Sequence, residues 1–97
     1  MATYVVLAHW TDRGEENDRD SVNRYHKARD LFATMGVNIL NIWWTQGQYD
    51  VIFVLEGPDE ITVSAALLKL DSAGNLHTET LRGFTEQEME QIIQKMG

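Results

Sequence analysis

The residues best equipped for chemistry in this chain are three histidines, a Tyr-Asp pair and three tryptophans. His9 closes a run of β-formers, Thr3 to Ala8, and His77 sits in another, Leu76 to Arg82. If these runs pair as antiparallel strands with Thr3 near Gly83, His9 falls across from His77 on one sheet face. Two imidazoles so placed can bind a divalent metal or pass protons near neutral pH. Glu79 shares their face. His26, between Tyr25 and Lys27, is expected to be a helix-surface side chain.

Tyr49 and Asp50 follow Gly47. On adjacent strand positions their side chains point to opposite faces, so they cannot jointly hold one small ligand. Asp50 on a mostly apolar face needs a partner, from Arg82, Lys69 or a neighbouring chain, unless it is a site carboxylate. His9, His77, Glu79 and Asp50 are therefore the acid-base candidates. Trp10, Trp43 and Tyr49 are the ligand-binding candidates, because their rings, with Trp44, can line an aromatic pocket or pack in a core or interface. The acidic stretch Asp12, Glu15, Glu16, Asp18 and Asp20 lacks the ligand spacing of a calcium loop and is expected to be solvated. No Gly-rich phosphate loop, nucleophile triad or His-Glu-x-x-His motif occurs. The absence of cysteine excludes disulfides, thiol nucleophiles and cysteine-ligated metals. No cofactor and no metal site is expected.

These groups need elements to position them. Thr3 to Ala8, extending to His9 or Trp10, is a first strand. Residues 11–20 read as a loop with room for one helical turn. Ser21 or Asp20 then caps a helix whose apolar stripe is Val22, Tyr25, Ala28, Phe32 and Met35, closed by Gly36 in a left-handed conformation. Val37 to Gln46 is a second strand, Gly47-Gln48 a two-residue turn and Tyr49 to Glu56 a third strand. Gly57-Pro58-Asp59-Glu60 starts a second helix with Ile61, Ala65, Leu68, Leu67 and Leu70 as its buried face. Leu76 to Arg82 is a fourth strand. Thr85 and Glu88 form a capping box for a last helix, Phe84 and Met89 stand at staple positions, and Met89, Ile92, Ile93 and Met96 make its stripe.

The order β-α-β-β-α-β predicts a single α+β domain over residues 1–97. The expected fold is a ferredoxin-like plait, a four-stranded antiparallel sheet in the order 4-1-3-2 with helices on one face and an extra C-terminal helix. Strands 1 and 3 are central, and right-handed crossovers read them as a parallel pair. At 97 residues the chain has room for one modest core. A net charge of -7 argues against binding to nucleic acid or to anionic membrane surfaces. No apolar run approaches the roughly 20 residues of a membrane helix, and no secretory signal is readable. A soluble, cytoplasmic protein is the expectation.

The second and third strands carry a further message. A turn at Gly47-Gln48 sets Trp44 across from Val51 and Trp43 across from Ile52. One face then holds Leu40, Ile42, Trp44, Tyr49, Val51, Phe53 and Leu55, and is assigned to the helix side. The other holds Ile39, Trp43, Ile52 and Val54 among Asn41, Thr45, Asp50 and Glu56. Burying one Trp removes about 150–250 Å² from water, on the order of 4–6 kcal/mol at ~25 cal/mol/Å². Either the terminal helix folds back over this second face, or a second copy of the chain covers it. Self-association is the favoured expectation.

Three stretches resemble the GYD domain family of small bacterial and archaeal proteins. They are Trp10-Thr11-Asp12-Arg13-Gly14, Gly47-Gln48-Tyr49-Asp50, and the run from Gly74 through Thr85 that contains Thr78-Glu79-Thr80-Leu81-Arg82. The resemblance covers essentially the whole chain. It implies a ferredoxin-like α/β domain that assembles through its sheets, and implies no reaction. His77 departs from the family pattern, so a His9–His77 site is not implied by it.

Two functional readings remain open. One is a non-catalytic homo-oligomeric module that binds a small ligand or a protein. The alternative is a small cofactor-independent enzyme of the dimeric α/β-barrel type, with a His/carboxylate acid-base site.

Overall fold

The computed structural model describes residues 1–16 and 18–97. β1 (Ala2–Trp10) is followed by a short α1 (Asp12–Glu16), a 3-10 turn at Asp18–Asp20 and α2 (Ser21–Thr34). β2 (Asn38–Trp44) and β3 (Val51–Gly57) precede α3 (Glu60–Ser72), and β4 (Leu76–Gly83) leads to α4 (Glu86–Met96). The strands form one sheet in the order β2-β3-β1-β4, the ferredoxin-like plait.

Every neighbouring pair is antiparallel, including β1 with β3. The parallel pairing expected for these two central strands is therefore wrong. The α2 crossover returns β2 parallel to β1, and the hairpin then reverses the chain, so β3 must run against β1. The β1–β4 register is as read from the sequence, with Thr3 across from Gly83 and His9 across from His77.

The core lies between the sheet and α2 and α3. Tyr4, Val6 and Ala8 of β1 and Val51, Phe53 and Leu55 of β3 alternate into it, and Phe32, Val63, Ala66 and Leu67 meet them from the helices. On α2, Phe32 is buried and Leu31 and Met35 pack beside it, while Val22 at the helix start is exposed. The C-terminal turn of α2 closes on Gly36 at φ +77°, a conformation only glycine adopts readily.

The face of α3 differs from the sequence expectation. Leu67 and Leu70 pack inward as expected, but they are joined by Val63 and Ala66, whereas Ile61, Ala65 and Leu68 face solvent. This helix is apolar nearly all round, so the pattern alone does not select a face. Asp59 caps it, its carboxylate accepting the Thr62 N–H at 2.7 Å.

β2 also departs from the expected alternation. Ile39 pairs with Leu55 and Asn41 with Val54, so Leu40 is the extra residue of a β-bulge. A one-residue slip exchanges faces. Ile39 therefore joins Ile42 against the core, and Leu40, assigned to the helix side, stands exposed. Beyond the bulge Trp43 lies across from Ile52 and Trp44 across from Val51, as the sequence predicts. The expected two-residue turn is replaced by a wider loop. Thr45 N–H donates to the Asp50 carbonyl at 2.8 Å, leaving residues 46–49 between them.

α4 carries the expected capping box. The Glu88 N–H donates to Thr85 Oγ1 at 3.2 Å and the Thr85 N–H to Glu88 Oε1 at 3.0 Å. Arg82 ties the helix to β4, its guanidinium donating to Glu88 Oε2 and stacking 4.5 Å from the Phe84 ring. No residue of α4 is buried, so it does not fold back over the sheet. The radius of gyration is 14.6 Å, against about 13 Å for a compact domain of this length.

Candidate functional site

Two surfaces carry the candidate residues, one on each face of the sheet. The open face, opposite α2 and α3, follows from the registers. Trp43, Ile52, Leu7 and Glu79 form one row across all four strands. Asn41, Val54, Val5 and Leu81 form the next. Six of these eight side chains are apolar. Trp43 is 50% exposed and Leu81 44%.

At one end of this face stand His9, His77, Tyr49 and Glu79. The Tyr49 ring packs on His9 with centroids 4.8 Å apart, and its hydroxyl donates to Glu79 Oε2 at 3.3 Å. Partial burial, then the Glu79 charge, push the Tyr49 hydroxyl above its ordinary range, so it keeps its proton as a donor. Tyr49 therefore belongs to the open face and not, as its sequence position suggested, to the helix side. Among the described residues no three His, Asp or Glu side chains lie close enough to share a metal ion.

Asp50 is elsewhere. Its carboxylate accepts the Trp10 N–H at 2.8 Å, and its own N–H donates to the Ala8 carbonyl at 2.9 Å. Its partner is thus the backbone at the end of β1, neither Arg82 nor Lys69. Asp50 is not part of the His9–Tyr49–Glu79 group. Thr11, next to Trp10, donates its N–H to the Asn75 carbonyl at 3.0 Å and its hydroxyl to the Gly74 carbonyl. The Gly14 N–H donates to Thr11 Oγ1 at 3.1 Å, and a β-carbon on Gly14 would lie 2.1 Å from the Asn75 carbonyl oxygen. The stretches around Trp10, Asp50 and Gly74 are far apart in sequence and meet at one end of the sheet.

On the helix side, a cavity of about 260 Å³ opens between α2, α3 and the sheet. Trp10 and Trp44 line it, whereas Trp43 and Tyr49 stand on the opposite face. The three ligand-binding candidates are therefore not one pocket. Arg24, Tyr25, Phe32, Lys27 and Lys69 also line the cavity, and sequence spacing alone did not single them out. Four of them lie on α2 and Lys69 on α3, and only folding brings the two helices to one cavity. His26 is an exposed residue of α2, as expected.

No helix is long and apolar enough to cross a membrane among the described residues. The chain is similar to a protein of Thermus thermophilus named glutamine synthetase and cystathionine beta-lyase binding protein, with 34% identity over 82 residues, covering 84% of this chain and 86% of the relative. Its fold is similar to the crystal structure of TTHA0845 from Thermus thermophilus, with a TM-score of 0.57 and 20% identity, covering 88% of this chain and 95% of that one. The GYD domain family model matches residues 4–93. The match takes in all but the first two residues of the sheet and all the converging signature stretches, and this chain belongs to the GYD domain family.

Proposed function

We propose that this chain is a non-catalytic, protein-binding module that works as a homo-oligomer, with its open sheet face covered by a second copy. The observation that carries the reading is the pair of rows across that face. Val5, Leu7, Ile52, Val54, Trp43 and Leu81 form a continuous apolar surface that no element among the described residues covers. α4 adds an apolar stripe, with Met89 47%, Ile93 55% and Met96 77% exposed. Contiguous apolar surface of this kind marks protein contacts. A self-complementary, two-fold contact is the commonest way a single chain covers such a face.

A protein-binding role is further supported by the relative named for binding glutamine synthetase and cystathionine beta-lyase. Those two enzymes of the source organism are the first partners to try. Surface plasmon resonance with each immobilised enzyme is expected to give saturable binding of the wild-type oligomer. Flat responses to both would remove these partners.

One observation favours a second reading. His9, His77, Tyr49 and Glu79 gather imidazole, phenol and carboxylate groups at one end of the open face. In a cofactor-independent enzyme His9 would be the base and Glu79 would hold Tyr49 as a proton donor. This reading needs that end of the face to stay wet. Loss of His9 solvent exposure on assembly would exclude it.

A further inference from the structure

We propose that the cavity between α2, α3 and the helix side of the sheet binds a small aromatic carboxylate. Its lining reverses the character of the chain. The protein has fifteen Asp and Glu against eight Lys and Arg, yet among the described residues no acid lines the cavity and three bases do: Arg24, Lys27 and Lys69. Five of the nine aromatic residues line it as well: Trp10, Tyr25, Phe32, Trp44 and Phe53.

The floor is apolar and closed. Phe32 is fully buried, and Val51 and Phe53 are each 3% exposed. The walls are rings held by their neighbours. Tyr25 meets Trp44 edge-on with centroids 6.0 Å apart, and the Arg24 guanidinium lies 5.4 Å from the Trp10 ring. Such walls favour an aromatic body through edge and face contacts. Lys27 on α2 and Lys69 on α3 are exposed residues, so they meet the cavity at its rim. Neither makes an ion pair among the described residues. Two ammonium groups beside an apolar hollow suit a ligand with a carboxylate at one end, because a charge-assisted hydrogen bond strengthens where water is partly excluded.

Size narrows the class. A cavity of about 150 Å³ holds benzene. The 260 Å³ here admits one ring with a short acid-bearing chain. The wall at Trp10 and Asn75 is the same place where Thr11 and Gly14 close on Gly74 and Asn75, so the signature stretches shape the site. This site is independent of what covers the open face.

The test is a titration of the full chain followed by ¹H–¹⁵N NMR at the tryptophan indoles. Phenylacetate, phenylacetamide and phenethylamine share a ring and differ in charge. The indole signals of Trp10 and Trp44 are expected to shift saturably with phenylacetate, while Trp43, on the other face, stays still. The acid is expected to bind about tenfold more tightly than the amide, the strength of a charged hydrogen bond. The amine should bind more weakly still. The double variant Lys27→Gln/Lys69→Gln, which changes only exposed side chains, is expected to erase the advantage of the acid and leave the amide titration unchanged. Three outcomes overturn the proposal: no saturable shift at Trp10 and Trp44, equal binding of the three probes, or an acid preference that survives in the double variant.

Discussion

Trp43 and Trp44 are adjacent in sequence and serve opposite faces of one sheet. Trp43 lies across from Ile52 on the open face, and Trp44 lies across from Val51 and over the helix-side cavity. Each is about half exposed, at 50% and 43%. A strand of a one-sided plait needs apolar residues on only one face. β2 carries a large ring on both, one bordering the apolar open face and one lining the cavity.

Asp50 is expected to act as a structural acceptor. Asp50→Ala leaves the Trp10 N–H without its partner, at a cost of about 1–3 kcal/mol in a urea titration. Asp50→Asn keeps an acceptor and should recover part of the loss. Unchanged stability of the alanine variant would show that this contact contributes nothing.

Gly14→Ala is expected to cost more than an ordinary surface substitution. Its β-carbon would sit 2.1 Å from a backbone oxygen at Asn75, which no side-chain rotation can relieve. The junction of α1 with the turn before β4 must open, for roughly 1–3 kcal/mol. Thermal unfolding of the variant measures it.

Thr85→Ala is expected to fray α4 without loosening the sheet. Loss of the capping box costs about 1 kcal/mol, or about fivefold faster amide exchange along that helix. Exchange of the β1 amides should not change.

The caps also set a pH dependence. The Thr85 N–H, helped by the Arg82 guanidinium, holds the Glu88 carboxyl below its ordinary 4.5. The Thr62 backbone N–H, helped by its hydroxyl, holds Asp59 below 3.8. Both folded values are depressed, so the stabilisation is complete above the ordinary values and is lost as pH falls through the folded ones. Amide exchange in the first turns of α3 and α4 should accelerate as pH drops below about 4, after correction for intrinsic rates. Glu88→Gln should flatten the response in α4 alone.

Much of the fold was legible because its signals are local. The period-two alternation of β1, the Gly36 helix stop and the Thr85–Glu88 box each lie within a few residues. The β1–β4 register followed from strand ends, and it placed His9 across from His77. Other features were not legible. The bulge at Leu40 hides in an apolar run, Ile39-Leu40, where either residue can face the core. α3 is apolar on several faces, so the sheet and not the pattern selects Val63 and Ala66 over Ile61, Ala65 and Leu68. The partner of Asp50 is a backbone N–H forty residues away, which no spacing rule reveals. The helix-side cavity is hidden for a similar reason, since Lys27 of α2 and Lys69 of α3 reach one cavity only after folding.

The central claim is that a second copy covers the open face, and sedimentation equilibrium at micromolar concentration tests it most directly. Wild type is expected to sediment as a dimer or higher oligomer. Trp43→Lys, which places a charge among Ile52, Leu7 and their neighbours, should shift it toward monomer by several kcal/mol. His26→Ala, on the exposed side of α2, should leave the assembly intact. A monomeric wild type, or an oligomer indifferent to Trp43→Lys, would contradict the account.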